Sequence, residues 1–493
     1  MAESAVGRQT LAKNAATSRA FQYDDLDRPI SIYDSAFGTA RRVYDADGRV
    51  VQAVYPDGAG MGYPEGLVTT YQYDARGAVV GISDPIGGTW QLDYDAAGRP
   101  IHETSRFGID REIAYTSEGF VDKITLRNSA GAYLEVFDYG SYDALGNPGQ
   151  IKTCEGMASC SASPTGTTTI GYDALSRVTS VSYPGSSESF GYDRAGNRRT
   201  HTVNGTLRSL DVADELTAIR QGATVLESFT YDLAGRRQTR TAGGASSTYT
   251  YEPLGRLQVL VTPATGQSNV VGYDALDTRY LAWDAQTNRT DYALGEWAEM
   301  RGSERVRLVH GPGIDAVRAE VSSTTARALQ TDAGGNMVLA TVGDAISETR
   351  RYGAFGTVRA SSGTQTISRG FAGRPSEGTT GLVSLRARHY DPATGRFLQP
   401  DPLGIETDQL YAYAANNPYV FSDPMGLMPS SLAQWGAAGR GFAFGAGTAL
   451  GTSYAIGTGA RMARHHRDRG RGSAGCDSGP YARGHRACSL RRV

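Results

Sequence analysis

The chain has 493 residues, and its net charge of −2 hides an uneven distribution. Residues 428–493 hold ten arginines, no lysine and two acidic residues, so they carry +8 and the preceding residues carry −10. An acidic body with a basic tail indicates two parts with different roles. Residues 1–20 are polar and lack the apolar stretch of a secretory signal, so export by a standard signal is not expected.

A Tyr-Asp-x-x-Gly-Arg phrase recurs along the body of the chain, with spacings that cluster at 20 to 22 residues. The clearest copies begin at Tyr44, Tyr94, Tyr192 and Tyr231, and weaker ones at Tyr23, Tyr73, Tyr115, Tyr142, Tyr172, Tyr251 and Tyr273. The wide gap after Tyr192 leaves room for a decayed copy near Leu210-Asp211.

Each repeat has the pattern of a β-hairpin. Asp-x-x-Gly forms a turn, because the aspartate caps it and glycine accepts a positive φ. The residues that follow alternate apolar and polar, as in 177–183, which predicts a half-buried strand. Hairpins side by side give a continuous sheet, with the tyrosines stacked as a ladder on one face. Residues repeated in every unit are usually architectural, so we expect no ligand site at the Tyr-Asp pairs.

These units resemble the YD repeats of Rhs proteins, of the C component of insecticidal toxin complexes and of teneurins. Residues 373–427 resemble the Rhs-associated core through four ordered segments, Thr380–Phe397, Gln399–Gly404, Leu410–Pro418 and Asp423–Leu427. The resemblance implies an all-β fold, in which the hairpins form a spiralling sheet or partial cocoon shell that the core closes at one end. It also implies that the variable segment after the core is a toxin held inside the shell.

The resemblance divides the chain into parts. They are an N-terminal extension (1–20), a YD-repeat β-shell (21–370), an Rhs-associated core with an aspartyl autoprotease (371–427) and a variable C-terminal cargo (428–493). The cargo is expected to be small and irregular or helical, with a Gly/Ala-rich apolar segment (430–460) and an Arg-rich tail (461–493).

Two Asp-Pro-x-Gly motifs carry the candidate chemistry. They begin at Asp401 and Asp423, and 18 residues separate Gly404 from the second motif. Each motif alone is a good type I turn. The resemblance implies that the two aspartates cut the chain after the closing Gly-Leu, which here is the bond between Leu427 and Met428. Asp391 begins a third Asp-Pro pair, which is interpreted as a turn.

A pair of close carboxyls suits this cleavage. The two groups cannot both ionise easily, so they share a proton. One carboxyl then takes a proton from water that attacks the Leu427 carbonyl, and the other donates to the carbonyl oxygen. Because the substrate is tethered, a single slow turnover suffices. Arg388 and Arg396 either orient a carboxylate or form structural ion pairs. The sequence predicts no cofactor and no metal site.

The tail leaves several interpretations open. Residues 442–460 are either a membrane-inserting helix or a flexible linker. The basic residues 461–493 suit nucleic acid or an anionic membrane, or are a decayed toxin remnant, and no enzymatic motif is recognisable in them. The cysteines form two local pairs, Cys154 with Cys160 and Cys476 with Cys488, and each pair suits a disulfide.

The leading hypothesis is a self-processing toxin carrier that encloses and releases its own C-terminal peptide. Its expected partners are that peptide, a cognate immunity protein and a secretion-apparatus component, and its expected location is secreted or at the cell surface. The alternatives are a non-catalytic surface protein that binds carbohydrate or a partner through its tyrosine-rich sheet, and an orphan cassette without activity. No specific sequence motif predicts a nucleic-acid partner.

Overall fold

The computed structural model divides the chain into two compact units, Met1–Leu450 and Gly451–Val493. It describes residues 2–3, 9–13, 17–35, 37–56, 67–106, 108–156, 164–202, 206–210, 213–262, 267–274, 278–284, 289–294, 297–313, 315–322, 325–363, 367–404, 409–427 and 430–431. All of these lie in the first unit. The expectations for the tail, for Met428 and for Cys160 fall outside the described residues.

The described part of the chain is nearly all β. A large sheet holds β1 (Ala2–Glu3), β2 (Gln9–Lys13), β3 (Ser18–Tyr23), β4 (Pro29–Asp34), β5 (Gly38–Tyr44), β6 (Val50–Val54), β7 (Val68–Tyr73), β8 (Val79–Asp84), β9 (Gly88–Tyr94), β10 (Pro100–Ser105), β11 (Asp110–Tyr115), β12 (Val121–Arg127), β13 (Tyr133–Gly140), β14 (Gln150–Glu155), β15 (Gly166–Tyr172), β16 (Val178–Tyr183), β17 (Ser186–Tyr192), β18 (Arg198–His201), β19 (Thr206–Leu210), β20 (Leu216–Gln221), β21 (Thr224–Tyr231), β22 (Arg237–Ala242), β23 (Ala245–Tyr251), β24 (Leu257–Thr262), β25 (Gln267–Tyr273), β26 (Arg279–Asp284), β27 (Arg289–Leu294), β28 (Ala298–Arg301), β29 (Glu304–His310), β30 (Val317–Val321), β31 (Ala326–Thr331), β32 (Met337–Val342), β33 (Ala345–Tyr352) and β34 (Val358–Gly363). The sheet begins at Ala2, within the residues that the sequence assigns to an N-terminal extension.

A smaller region after the sheet contains β35 (Val383–Leu385), β36 (Arg388–Asp391), β37 (Arg396–Phe397), β38 (Phe421–Ser422) and β39 (Ser430–Ser431). Short 3-10 segments lie at Phe371–Gly373, Gly378–Thr380 and Ala414–Asn416. No α-helix occurs among the described residues, and no helix there is long and apolar enough to cross a membrane. The expectation of little helical structure is confirmed for this part of the chain.

Among the described residues the large sheet has 34 strands, and each strand pairs antiparallel with the next one in sequence. The register shifts at the repeat tyrosine in hairpin after hairpin, for example between Val43 and Tyr44 and between Thr250 and Tyr251. Such bulges bend a strand and increase its twist. Because they recur at the same end of the hairpins, the sheet curves steadily. No pairing among the described residues joins the first strand to the last.

The repeat turn forms as its sequence predicts. The backbone N–H of Gly48 donates to the Asp45 carbonyl at 3.1 Å, and Gly48 has a φ of 82°. The Asp45 carboxylate accepts from the backbone N–H of Arg49 at 2.9 Å and from its Nε at 2.7 Å. The aspartate therefore caps the turn and holds the arginine that ends the phrase.

At six repeats the expected tyrosine ladder contains an arginine stacked on the tyrosine ring. The Arg49 guanidinium lies 5.0 Å from the centre of the Tyr73 ring in the next repeat, and the Tyr73 hydroxyl donates to the Val50 carbonyl at 2.7 Å. The same stacking joins Arg28 to Tyr44, Arg99 to Tyr115, Arg177 to Tyr192, Arg236 to Tyr251 and Arg256 to Tyr273. In these six cases one repeat is joined to the next by a cation–π contact and a hydrogen bond from the tyrosine hydroxyl, which explains the arginine that ends the phrase.

Two further features of the repeat follow from the strand register. Leu210 pairs with Leu216 in the same register as Tyr44 with Val50, which agrees with the decayed copy expected here, although Asp211 lies outside the described residues. The same turn recurs after β31, where Thr331 pairs with Met337. Threonine replaces the tyrosine in this copy, so the repeat phrase does not mark it.

The sheet winds back on itself, so that later strands pack on earlier ones. The Tyr55 hydroxyl donates to the Leu308 carbonyl at 2.8 Å, a contact between residues 253 positions apart. Apolar side chains from both windings form one buried cluster, which includes Trp90, Leu92 and Val309. This spiral arrangement agrees with the shell fold that the repeats predict. Within it, Cys154 is buried and disulfide-bonded.

The region after the sheet packs against the repeat turns. Buried aromatic rings form its centre, with the Tyr390 and Tyr413 ring centres 4.7 Å apart. The Arg237 guanidinium of β22 pairs with Asp391 at 2.7 Å, and Asn416 donates to the Gly196 carbonyl at 2.9 Å. These contacts hold the region after the sheet against the repeat sheet and its turns.

Candidate functional site

The structure brings Asp401 and Asp423 together on one arginine. A single nitrogen, Nη2 of Arg388, lies 3.0 Å from Oδ2 of Asp401 and 3.2 Å from Oδ2 of Asp423. All three side chains are buried, with exposures of 2% for Arg388, 3% for Asp401 and 1% for Asp423. The two motifs, distant in sequence, thus form one carboxylate pair that is closed off from bulk water.

Each aspartate also caps its own turn. The Asp401 carboxylate accepts from the backbone N–H of Leu403 at 2.9 Å, and Gly404 N–H donates to the Asp401 carbonyl at 2.9 Å. The second turn is similar, because Gly426 N–H donates to the Asp423 carbonyl at 3.2 Å. Each motif is therefore a turn, and the two turns also bring their carboxylates together on Arg388. The turns fix the backbone that presents each carboxylate.

The second turn runs into the predicted scissile bond. The backbone N–H of Leu427 donates to Oδ1 of Asp423 at 2.9 Å, and Nε of Arg388 donates to the Gly426 carbonyl oxygen. The peptide between Gly426 and Leu427 is therefore held at both its oxygen and its nitrogen. Strand β39 pairs with β38, which directly precedes Asp423.

The hairpin turn between β35 and β36 forms hydrogen bonds to the motif that begins at Asp423. Three consecutive carbonyls accept hydrogen bonds from it: Pro424 from the Arg386 side chain, Met425 from the Ala387 backbone, and Gly426 from Arg388. A side chain at Gly426 would meet the Leu385 carbonyl, and Gly426 has a φ of 65°, so glycine is required there. Sequence reasoning missed Arg386, although its place two residues before Arg388 on a tight hairpin is a usable signal.

Burial dominates the electrostatics of the pair. Burial raises the pKa of Asp401, and the Arg388 charge only partly opposes the shift. Burial also raises the pKa of Asp423, with a further contribution from the Asp401 charge and opposition from Arg388. The pKa of Arg388 is lowered by burial, while both aspartates act against that shift. A buried pair with raised pKa values holds a proton more readily than ordinary aspartates do, which is what acid–base chemistry needs.

Arg396 lies elsewhere. Its guanidinium donates to the Asp214 carbonyl oxygen and to Asn197, both in the repeat sheet. Asp391 likewise binds the sheet through Arg237 and caps a local turn, with Gly395 N–H donating to its carbonyl at 2.7 Å. Of the two candidate arginines, only Arg388 contacts the aspartates. Among the described residues, no cluster of histidine, cysteine and acidic side chains could hold a metal ion.

Comparisons with known proteins agree with the repeats. The family model described as RHS Repeat matches residues 23–59 and 73–109. The chain is 26% identical over 435 residues to "Double-stranded DNA deaminase toxin A" of Burkholderia cenocepacia, covering 83% of this chain and 26% of that protein. It is 26% identical over 427 residues to "tRNA3(Ser)-specific nuclease WapA" of Bacillus spizizenii, covering 82% of this chain and 15% of that protein. The chain thus spans about a quarter or less of these relatives.

Among solved structures, the fold is similar to that in "Crystal Structure of TcdB2-TccC3-Cdc42". The TM-score is 0.59 at 17% identity, and the match covers 88% of this chain and 28% of the other. At this identity the likeness concerns the fold alone.

Proposed function

We propose that this chain, which belongs to the Rhs (YD-repeat) family of polymorphic toxin carriers, cuts its own backbone between Leu427 and Met428 and so releases its C-terminal segment. The observation that carries the proposal is the buried pair of Asp401 and Asp423 on Arg388. The backbone N–H of Leu427 also donates a hydrogen bond to Asp423. A pair of aspartates that served only as turn caps would not need to meet at one buried cation.

The chemistry is a hydrolysis. The ionised carboxylate of the pair takes a proton from water as the water oxygen attacks the Leu427 carbonyl carbon. The protonated carboxyl donates to the carbonyl oxygen, and transfer of a proton to the Met428 nitrogen lets the C–N bond break. The products are a new carboxylate at Leu427 and a new amine at Met428. Arg388 keeps the two carboxylates together and polarises the neighbouring Gly426 carbonyl.

The domain plan is part of the proposal. Residues up to 370 act as the shell, residues 371–427 as the core that holds the protease, and residues 428–493 as cargo. The cargo would be the first partner, with an immunity protein and a secretion-apparatus component as further partners. The proposed location is outside the cell or at the cell surface. The described residues contain no membrane-spanning helix.

Intact mass spectrometry of the purified full chain tests the proposal. The expected result is two fragments, one ending at Leu427 and one starting at Met428. A chain that stays at full length through a prolonged incubation would overturn autoproteolysis, as would a break at a different bond. Expression of residues 428–493 in a bacterial host tests the cargo separately, and normal growth would count against an intracellular antibacterial toxin.

A further inference from the structure

Asp315 connects the repeat sheet to the cleavage turn. It lies between β29 and β30, and its carboxylate forms a bidentate ion pair with Arg386 of the core. Oδ1 lies 2.7 Å from Nη2 of Arg386, and Oδ2 lies 3.0 Å from Nη1. Such a bidentate pair fixes both the position and the plane of a guanidinium. Asp315 is 5% exposed, so the pair is shielded from solvent.

Arg386 passes that constraint on to the turn that contains Asp423. The same Nη1 that bonds Asp315 also donates to the Pro424 carbonyl oxygen. Pro424 immediately follows Asp423 and lies three residues before Leu427. The shell thus contacts the cleavage turn through one intermediate side chain, while Arg388 contacts the carboxylates from the same hairpin.

A further observation marks Asp315 as more than one half of a single ion pair. A second core arginine, Arg374, also binds it, with Nη1 2.7 Å from Oδ1. Two core arginines therefore converge on one carboxylate of the repeat sheet.

We propose that Asp315 is a positioning residue for autoproteolysis, supplied by the repeat shell, so that the core cuts efficiently only when Arg386 is docked on Asp315. The inference rests on the proposed function. In an undocked core Arg386 lacks its carboxylate partner, and the Pro424 carbonyl loses a fixed donor. Small displacements of reacting groups are enough to slow a reaction about a hundredfold. Docking of Arg386 on Asp315 would therefore precede cleavage, and the cargo would be freed only after the core has docked on the shell.

The test follows cleavage of the full chain over time after cell-free synthesis, by gel and intact mass. Asp315→Asn removes the charge but keeps the size, and we expect it to slow cleavage at least about tenfold. Asp315→Glu should recover part of the rate. The matched control is Arg279→Gln, which breaks another shell–core ion pair, Arg279–Glu377 at 2.7 Å, without touching the cleavage turn. The control should cut at the wild-type rate.

Folding is monitored by thermal melting of each variant, and Arg386→Lys provides a second variant. Lysine keeps the charge but cannot hold Asp315 and the Pro424 carbonyl with the same geometry, so it should also slow cleavage. Wild-type rates in Asp315→Asn and Arg386→Lys would overturn the positioning role, as would equal slowing in Arg279→Gln. An uncut wild type would overturn the proposed function together with this inference, whereas a cut wild type with a fast Asp315→Asn overturns the inference alone.

Discussion

Arg307 and Asp84 form a fully buried, bidentate ion pair between two windings of the sheet, 223 positions apart in sequence. Nη1 of Arg307 lies 2.7 Å from Oδ2 of Asp84, and Nη2 lies 3.0 Å from Oδ1. Burial alone would raise the pKa of Asp84, but the hydrogen bonds and charge of Arg307 and the hydrogen bonds from Thr69 and Gly87 together outweigh burial, so the pKa is lowered. Arg307 therefore helps to keep the buried Asp84 carboxylate ionised.

Removal of the Arg307 guanidinium should lower the free energy of unfolding of the wound sheet. Arg307→Leu leaves the Asp84 charge buried without its guanidinium, which typically costs about 3–5 kcal/mol. The control is Arg127→Leu, which breaks the part-exposed Arg127–Glu112 pair at 2.8 Å and should cost less than about 1 kcal/mol. Urea denaturation of both variants measures the difference. Equal midpoints would contradict a structural role for the buried pair.

The repeat turn offers a matched pair of neighbouring aspartates. Asp24 accepts from the backbone N–H of Leu26 at 3.0 Å and of Arg28 at 2.9 Å, whereas Asp25 is exposed. Asp24→Ala should destabilise the turn by about 1–2 kcal/mol, and Asp25→Ala should have little effect. Amide hydrogen exchange at Arg28 reports this locally. Similar exchange rates in the two variants would refute the capping role of the repeat aspartate.

Glu135 makes stability depend on pH. Burial raises the pKa of Glu135 to about 7, although Arg351 opposes the shift. The unfolded chain releases this proton at lower pH than the folded chain does, so the stability cost appears above the unfolded pKa and is complete above about 7. Glu135→Gln should therefore raise the melting temperature more at about pH 8 than at about pH 5. A larger gain at the lower pH would contradict this sign.

Cleavage should also respond to pH. Because burial raises the pKa of both Asp401 and Asp423, the protonated member of the pair persists to higher pH than an ordinary aspartic acid does. Above those values the protonated fraction falls about tenfold for each pH unit. Time courses of the full chain should thus show slower cleavage at about pH 8 than at about pH 6. A rate that rises over this interval would argue against a carboxylic acid as proton donor.

Much of the fold was predictable, because the repeat phrase contains the capping aspartate and the left-handed glycine of each turn. The arginine between successive tyrosines was harder to foresee, since Arg49 and Tyr73 belong to different repeats. Contacts between windings, such as Arg307 with Asp84, depend on the curvature of the whole sheet and leave no local pattern.

The site was predictable in its aspartates and less so in its surroundings. The motif spacing indicated Asp401 and Asp423, and Arg388 was one of two candidate arginines. The expected sharing of a single proton needs refinement, since both carboxylates also bind Arg388. The role of Arg386 depends on Asp315, 71 positions earlier, and on the Pro424 carbonyl, so only the folded chain reveals it.

The most direct test of the account compares intact masses of wild type, Asp401→Asn, Asp423→Asn and Asp391→Asn after the same incubation. Asp391 is the matched control, because it also begins an Asp-Pro turn and is buried in the core, but it binds Arg237. The account predicts fragments that meet at Leu427 and Met428 in wild type and in the folded Asp391 variant. It predicts at least about a hundredfold slower cleavage in the Asp401 and Asp423 variants. Cleavage of either of these two at the wild-type rate would contradict it.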